Sequence, residues 1–219
     1  VIAPRSNAEF VADMEKVLGL YRRPYDENFP VVCFDEMPRQ LIGDSRPSEP
    51  IIPGHPEHID YEYVRNGTCN VLMAVEPPRG WRMAEVTQTK TTKDWALFTE
   101  KIALAFPDAE KIILLEDNLN THKAASWYEV FPPEKAAWLM NRFELAYTPK
   151  HGSWLNIAEI ELNVVSGQCL KRHIGDINTM RREVAEWERE RNNKSSGVDW
   201  QFTAEDARIK LKRLYPVVC

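Results

Sequence analysis

The sequence predicts an α/β fold, a mixed sheet covered by helices, and three observations carry that reading. β-type runs and segments of helical periodicity alternate along the chain, which suits a layered sheet rather than an all-helical or all-strand architecture. Two short apolar runs, Val31-Val32-Cys33-Phe34 and Ile112-Ile113-Leu114-Leu115, have the length and continuous hydrophobicity of buried strands. Each of these runs stops at a pair of acids, Asp35-Glu36 and Glu116-Asp117.

Taken in order, Phe10, Val11, Met14, Val17, Leu18 and Tyr21 recur at helical spacing and predict an amphipathic helix over 8–21, closed by Pro24 and Pro30. The apolar run that follows reads as a strand ending at Asp35. Residues 44–58 are rich in proline, serine and charge and predict a loop. Three β-type segments come next, at 59–65, 68–75 and 81–88, with Asn66-Gly67 as a hairpin turn and Pro77-Pro78-Arg79-Gly80 as a second turn. Trp95, Phe98, Ile102 and Ala105 share one face of a helix from Thr92 to Phe106, stopped by Pro107. The second acid-tipped strand spans 111–117. A short helix over 122–128, a helix over 134–142 and a strand over 143–148 lead into the loop Pro149-Lys-His-Gly-Ser-Trp154. A helix over 155–170 follows, and two more lie near 176–191 and 204–214. On this reading residues 1–28 form a linker with a helix, 29–175 the core, and 176–219 a C-terminal helical extension.

A chain of 219 residues, 43% hydrophobic and 28% charged, can bury one substantial core. No apolar run approaches the roughly 20 residues that span a bilayer, so no membrane partner is expected, and the cytoplasm is the expected location. Cys33, Cys69, Cys169 and Cys219 are scattered without a Cys-x-x-Cys pair and read as idle thiols. His55 and His58 form the one close histidine pair, but no second ligand pair accompanies them. A net charge of -5 argues mildly against nucleic acid as a partner. The sum hides an asymmetry, however. Residues 163–219 carry 11 Lys and Arg against 8 Asp and Glu, whereas residues 1–162 carry 17 against 25. The acidic excess thus lies with the acid-tipped strands.

Neighbouring strand ends bring their side chains together at one rim of a sheet, so Asp35 and Asp117 are expected to meet. A third carboxylate comes from Glu159 or Glu161. These stand two residues apart and therefore point about 200° apart on a helix. Leu155, Ala158, Leu162 and Val165 form an apolar stripe with Glu159 beside it and Glu161 on the far side, which favours Glu159. Three carboxylates facing one point repel one another and call for divalent cations. All-oxygen ligands suit Mg2+ or Mn2+ rather than zinc. Two such ions activate a nucleophile and stabilise the leaving oxygen in phosphodiester displacement, so the pattern predicts phosphoryl transfer on a nucleic acid.

At these residues the sequence resembles a known family. Phe34-Asp35-Glu36, Glu116-Asp117-Asn118-Leu-Asn-Thr-His122 and Gly152-Ser-Trp-Leu-Asn-Ile-Ala-Glu159 are similar to the three acidic motifs of mariner-superfamily transposases, in particular their bacterial insertion-sequence branch. The resemblance implies a ribonuclease H-like fold and a DDE catalytic domain with Asp35, Asp117 and Glu159 as its acids. It further implies DNA cleavage at transposon ends and joining of the freed 3' ends to target DNA at TA dinucleotides, by a homodimer on DNA that is nucleoid-associated when bound. The family's N-terminal helix-turn-helix domains have no counterpart in these residues. The chain begins with Val rather than Met and reads as a fragment. The 41 residues between Asp117 and Glu159 exceed the eukaryotic mariner spacing, so the helix near 134–142 reads as an insertion.

Around the acids, Asn118 and His122 are candidates to orient water or contact a phosphate, and Lys150 and His151 to grip DNA near the site, with Trp154 beside them as a DNA contact or a core residue. Lys171 and Arg172, with His173, begin a basic surface continued by Arg181, Arg182, Arg189, Arg191 and Lys194. The interleaved Glu183, Glu186, Glu188 and Glu190 equally fit a solvated helix with salt bridges. Glu36 and Glu116 are expected to point to the opposite face of the sheet. Two rival functions remain: a silent DNA-binding or dimerisation module, and a ribonuclease H-like nuclease that never joins strands.

Overall fold

Five strands, β1 (Val31–Asp44), β2 (Tyr63–Glu76), β3 (Trp81–Thr87), β4 (Ile112–Glu116) and β5 (Phe143–Tyr147), build one mixed sheet in the order β3-β2-β1-β4-β5. β1, β2 and β3 pair antiparallel, whereas β4 and β5 run parallel to β1. This computed structural model describes residues 7–45, 62–119 and 121–217. The His55 and His58 pair, Cys219 and most of the predicted 44–58 loop lie outside the described residues.

Strand alternation sorts the core into two layers. On one face Cys33, Met73, Val75, Ile113 and Leu115 pack beneath helices α1 (Ala8–Tyr21), α5 (Ile157–Gln168), α6 (Ile177–Lys194) and α7 (Ala204–Lys210). On the other, Val32, Phe34, Leu72, Ala74, Ile112 and Leu114 pack beneath α2 (Thr92–Ala105), α3 (Ala124–Val130) and α4 (Pro133–Arg142). Phe10, Met14, Val17 and Leu18 of α1 are buried as their spacing predicts. In α2 a Thr91/Asp94 capping box starts the helix and Trp95, Phe98 and Ile102 are buried, while Ala105 is exposed at its end.

Two local expectations change. β1 does not end at Asp35; it continues to Asp44 because β2 pairs with it along its length, with Asp35 opposite Met73. What ends is the neighbour on the other side, since β4 pairs with β1 only from Val31 to Cys33. The rim that exposes Asp35 is therefore made by β4 stopping. Likewise Asn66-Gly67 is not a hairpin turn but a bulge inside one continuous strand. Gln40 pairs with Thr68 and Ile42 with Arg65, so Asn66 and Gly67 together oppose Leu41. Gly67 takes a φ of 92°, the conformation a glycine bulge requires.

The free edge of β3 is closed by side chains of α6. Asn192 accepts from the Arg82 amide and donates to its carbonyl, both at 2.8 Å, Glu188 accepts from the Ala84 amide at 2.9 Å, and Arg181 donates to the Val86 carbonyl at 3.1 Å. Unpaired strand edges invite pairing with other chains, and these contacts occupy that edge. Among the described residues no helix is long and apolar enough to cross a membrane.

Candidate active site

Three elements present the acids. Asp35 lies within β1 on the face covered by α5, Asp117 follows the last residue of β4, and Glu159 occupies the first turn of α5. Burial pushes the Asp35 carboxyl up to about 6, partly offset by the Glu36 amide, which donates to its Oδ1 at 2.8 Å. The negative charges of Asp117, Glu159 and Glu36 push it further in the same direction. The three predicted acids are thus brought close enough to act on one another, at a place where Asp117 and Glu159 remain partly open to solvent.

The sequence places Glu159 there through Asn156. Its side chain caps α5 by accepting from the Ala158 amide at 3.1 Å and donates to the Phe34 carbonyl at 2.7 Å, one residue before Asp35. Tyr21 of α1 holds the same corner: its hydroxyl donates to the Leu155 carbonyl at 2.6 Å and accepts from the Ile157 amide at 3.4 Å. Neither residue stands out when motifs are read for acids alone. The N-cap rule, which expects Asn just before an apolar helix, is the signal that finds Asn156.

Glu161 corrects the helical-face reading. It does not face away from the core; it is 1% exposed, with Arg82 bonded to both its oxygens at 2.7 and 2.9 Å and Arg191 adding a third contact at 2.9 Å. Burial opposes its charge, but Arg82 and then Arg191 outweigh it and hold the carboxyl below the ordinary range. The apolar stripe misplaces Glu161 because a doubly paired carboxylate can occupy a buried face. Arg191 is accordingly committed to this cluster rather than to an exposed basic surface.

His122 is 1% exposed, so its side chain does not reach a phosphate as the sequence suggests; it lies across the sheet from Asp35, with Nδ1 2.7 Å from Asp117 Oδ1. Glu36 and Glu116 sit on that opposite face, as expected. Glu116 is fully buried and accepts from Trp95 Nε1 at 2.8 Å, and burial raises its pKa well above the usual range. Lys90 pairs with Glu36 at 3.1 Å. Asn118, Lys150 and His151 are exposed in the segments that follow β4 and β5. Trp154 is half-buried and packs edge-on against Phe202. Lys171 and Arg172 are exposed beyond the far end of α5, a helix about 18 Å long, and are not gathered at the acids; Arg172 pairs with Glu183.

An oxygen-only donor set whose nearest charges are all negative fits a hard divalent cation. Among the described residues no three His, Cys, Asp or Glu side chains stand in ligating geometry.

A family model described as DDE superfamily endonuclease matches residues 30–181, more than half of the chain and all three acids. The chain belongs to the DDE superfamily of endonucleases. No curated protein sequence matches it. Among solved structures, the Mos1 mariner paired-end complex with Mn is similar at a TM-score of 0.57 and 15% identity, over 86% of this chain and 58% of that one. The Mos1 strand transfer complex gives 0.56 and 15%, over 88% and 62%. The catalytic domain of Mos1 mariner transposase gives 0.54 and 12%, over 90% and 96%. The present chain thus spans under two thirds of the Mos1 chains in the two complexes. The family model bears out the DDE assignment read from the motifs, and the structural matches bear out the ribonuclease H-like fold.

Proposed function

We propose that this DDE superfamily member is the catalytic domain of a DNA transposase of the mariner type, in its bacterial insertion-sequence branch, acting in the cytoplasm on nucleoid DNA. The observation that carries the reading is the cluster of Asp35, Asp117 and Glu159, in which burial and the charges of Asp117, Glu159 and Glu36 push the Asp35 carboxyl up to about 6. Asp35, Asp117 and Glu159 would hold the cations, two Mg2+ or Mn2+ ions. Such ions, when bound, would supply activation of the attacking water or 3'-hydroxyl and stabilisation of the leaving oxygen. Asp35 is oriented by the Glu36 amide, and the Asn156 cap fixes the first turn of α5, which carries Glu159. Lys150, His151 and Asn118, exposed in the segments after β5 and β4, are the proposed contacts to a DNA backbone near the acids, and Lys171 and Arg172 the proposed contacts further along. Cleavage at transposon ends and joining to target DNA at TA sites, by two copies pairing two ends, complete the reading. The Mos1 paired-end and strand transfer complexes support it by their fold.

The test incubates the chain with transposon-end DNA and Mg2+ or Mn2+. Cleavage followed by joining is expected. Cleavage without joining indicates a nuclease of the same fold, and absence of both indicates a silent module. Unchanged cleavage by Asp117→Ala would overturn the site assignment.

A further inference from the structure

Asp117 stands one residue past β4, its side chain 36% exposed and the next residue, Asn118, in solvent. No strand pairing therefore fixes its carboxylate. His122 does contact it, and His122 is itself held from four sides. Phe34 meets the imidazole edge-on at 5.3 Å between centroids and Trp95 stacks on it at 5.9 Å. Trp95 is tied by its indole N–H to the buried Glu116, whose Oε2 lies 3.9 Å from His122 Nδ1, and the Tyr147 hydroxyl donates to the His122 carbonyl at 3.0 Å. A carboxylate only accepts, so the hydrogen in the 2.7 Å contact sits on His122 Nδ1 and is given to Asp117 Oδ1.

We infer that His122 is a positioning residue, fixing the Asp117 carboxylate in the orientation that faces Asp35 and Glu159 and leaving its second oxygen clear of this bond. The inference rests on the proposed metal site. His122 itself touches neither ion nor DNA; it acts through Asp117, from the far side of the sheet. Partners that orient a ligand in this way typically change metal affinity about 10- to 100-fold when removed.

The test is calorimetric titration of the chain with Mn2+ alone, alongside thermal unfolding. His122→Leu, of similar bulk and without a donor, is expected to weaken Mn2+ binding about tenfold. His122→Asn, whose amide nitrogen branches from Cγ as Nδ1 does, is expected to restore affinity to within about threefold of the parent. Wild-type affinity in folded His122→Leu overturns the inference, and so does a folded His122→Asn as weak as His122→Leu, which would assign the effect to ring packing. Asp117→Asn separates the two levels: if it leaves Mn2+ binding intact, the site reading fails; if it abolishes binding while His122→Leu does not, only the positioning role fails. Should His122→Leu not fold, nitrogen-15 spectra of histidine-labelled parent chain decide, since a hydrogen found only on Nε2 overturns the contact.

Discussion

Glu159 and Glu161 stand two residues apart on α5 and meet opposite surroundings. Glu161 is buried, bonded through both oxygens to Arg82 and again to Arg191, and held below the ordinary carboxylate range. Glu159 is half-exposed and adds its charge to that of Asp117 against Asp35, whose carboxyl rises to about 6. One end of the helix turn is electrostatically closed and the other is left open. A closed cluster locks α5 to β3 and α6. On the proposed function, the open one keeps negative charge for a cation, at a cost to the metal-free protein.

The largest expected effect breaks the open side. Glu159→Gln should lower Mn2+-dependent DNA cleavage about a thousandfold or more, since a lost metal ligand removes several kcal/mol of transition-state stabilisation. Its thermal unfolding in the absence of metal should be unchanged or raised, because a repelling charge is gone. Glu161→Gln should invert this pattern. With two arginines left short of a counter-charge in the interior, it should lose about 3–5 kcal/mol of stability, read by denaturant unfolding. If Glu161→Gln unfolds like the parent, the closed cluster does not lock the helix.

The same contrast predicts opposite pH responses of the metal-free chain. Asp35 has a folded pKa of about 6 against an ordinary 3.8, so its folded form binds the proton more tightly. Its contribution is fully present below about 4 and is lost as pH rises through 6, a gain of about 2–3 kcal/mol on acidification from neutral pH. Glu161, held below the ordinary range, contributes stability that persists above the unfolded pKa and is lost only as pH falls through its lowered folded value. Urea unfolding from pH 7 to pH 3 should therefore show stability rising, then falling. The rise should be smaller by the Asp35 share in Asp35→Asn, and an unchanged rise in that variant would refute the raised pKa.

The same two acids mark what can be read from sequence. Local signals are legible: helical spacing gives α1 and α2, apolar runs give β4 and the start of β1, and acids following those runs point to Asp35 and Asp117. Signals that depend on distant partners are not. Glu161 is assigned to the wrong side because its partners lie 79 and 30 residues away, and nothing in a helical wheel reveals a buried pair. From sequence β1 reads as stopping at Asp35, because its continuation is dictated by pairing with β2, not by its own polar residues Glu36, Arg39 and Gln40. Asn66-Gly67 reads as a hairpin for a similar reason: a glycine with positive φ serves a bulge as readily as a turn, and only the opposing strand distinguishes them.

The smallest expected effect sharpens how the open side is held in place. Asn156 does two separable things: it caps α5 through its oxygen and ties the helix to the Phe34 carbonyl through its nitrogen. Asn156→Ala removes both and should cost about 2 kcal/mol, roughly half from the cap and half from the buried bond. Asn156→Ser keeps a capping oxygen but is too short to reach β1, so it should recover about 1 kcal/mol of that loss. Its Mn2+ affinity, however, should stay as weak as that of Asn156→Ala, since Glu159 would no longer be referenced to the strand that carries Asp35. Recovery of both stability and Mn2+ affinity in Asn156→Ser would mean that the cap alone places Glu159, and that the bond to Phe34 serves the fold without serving the site.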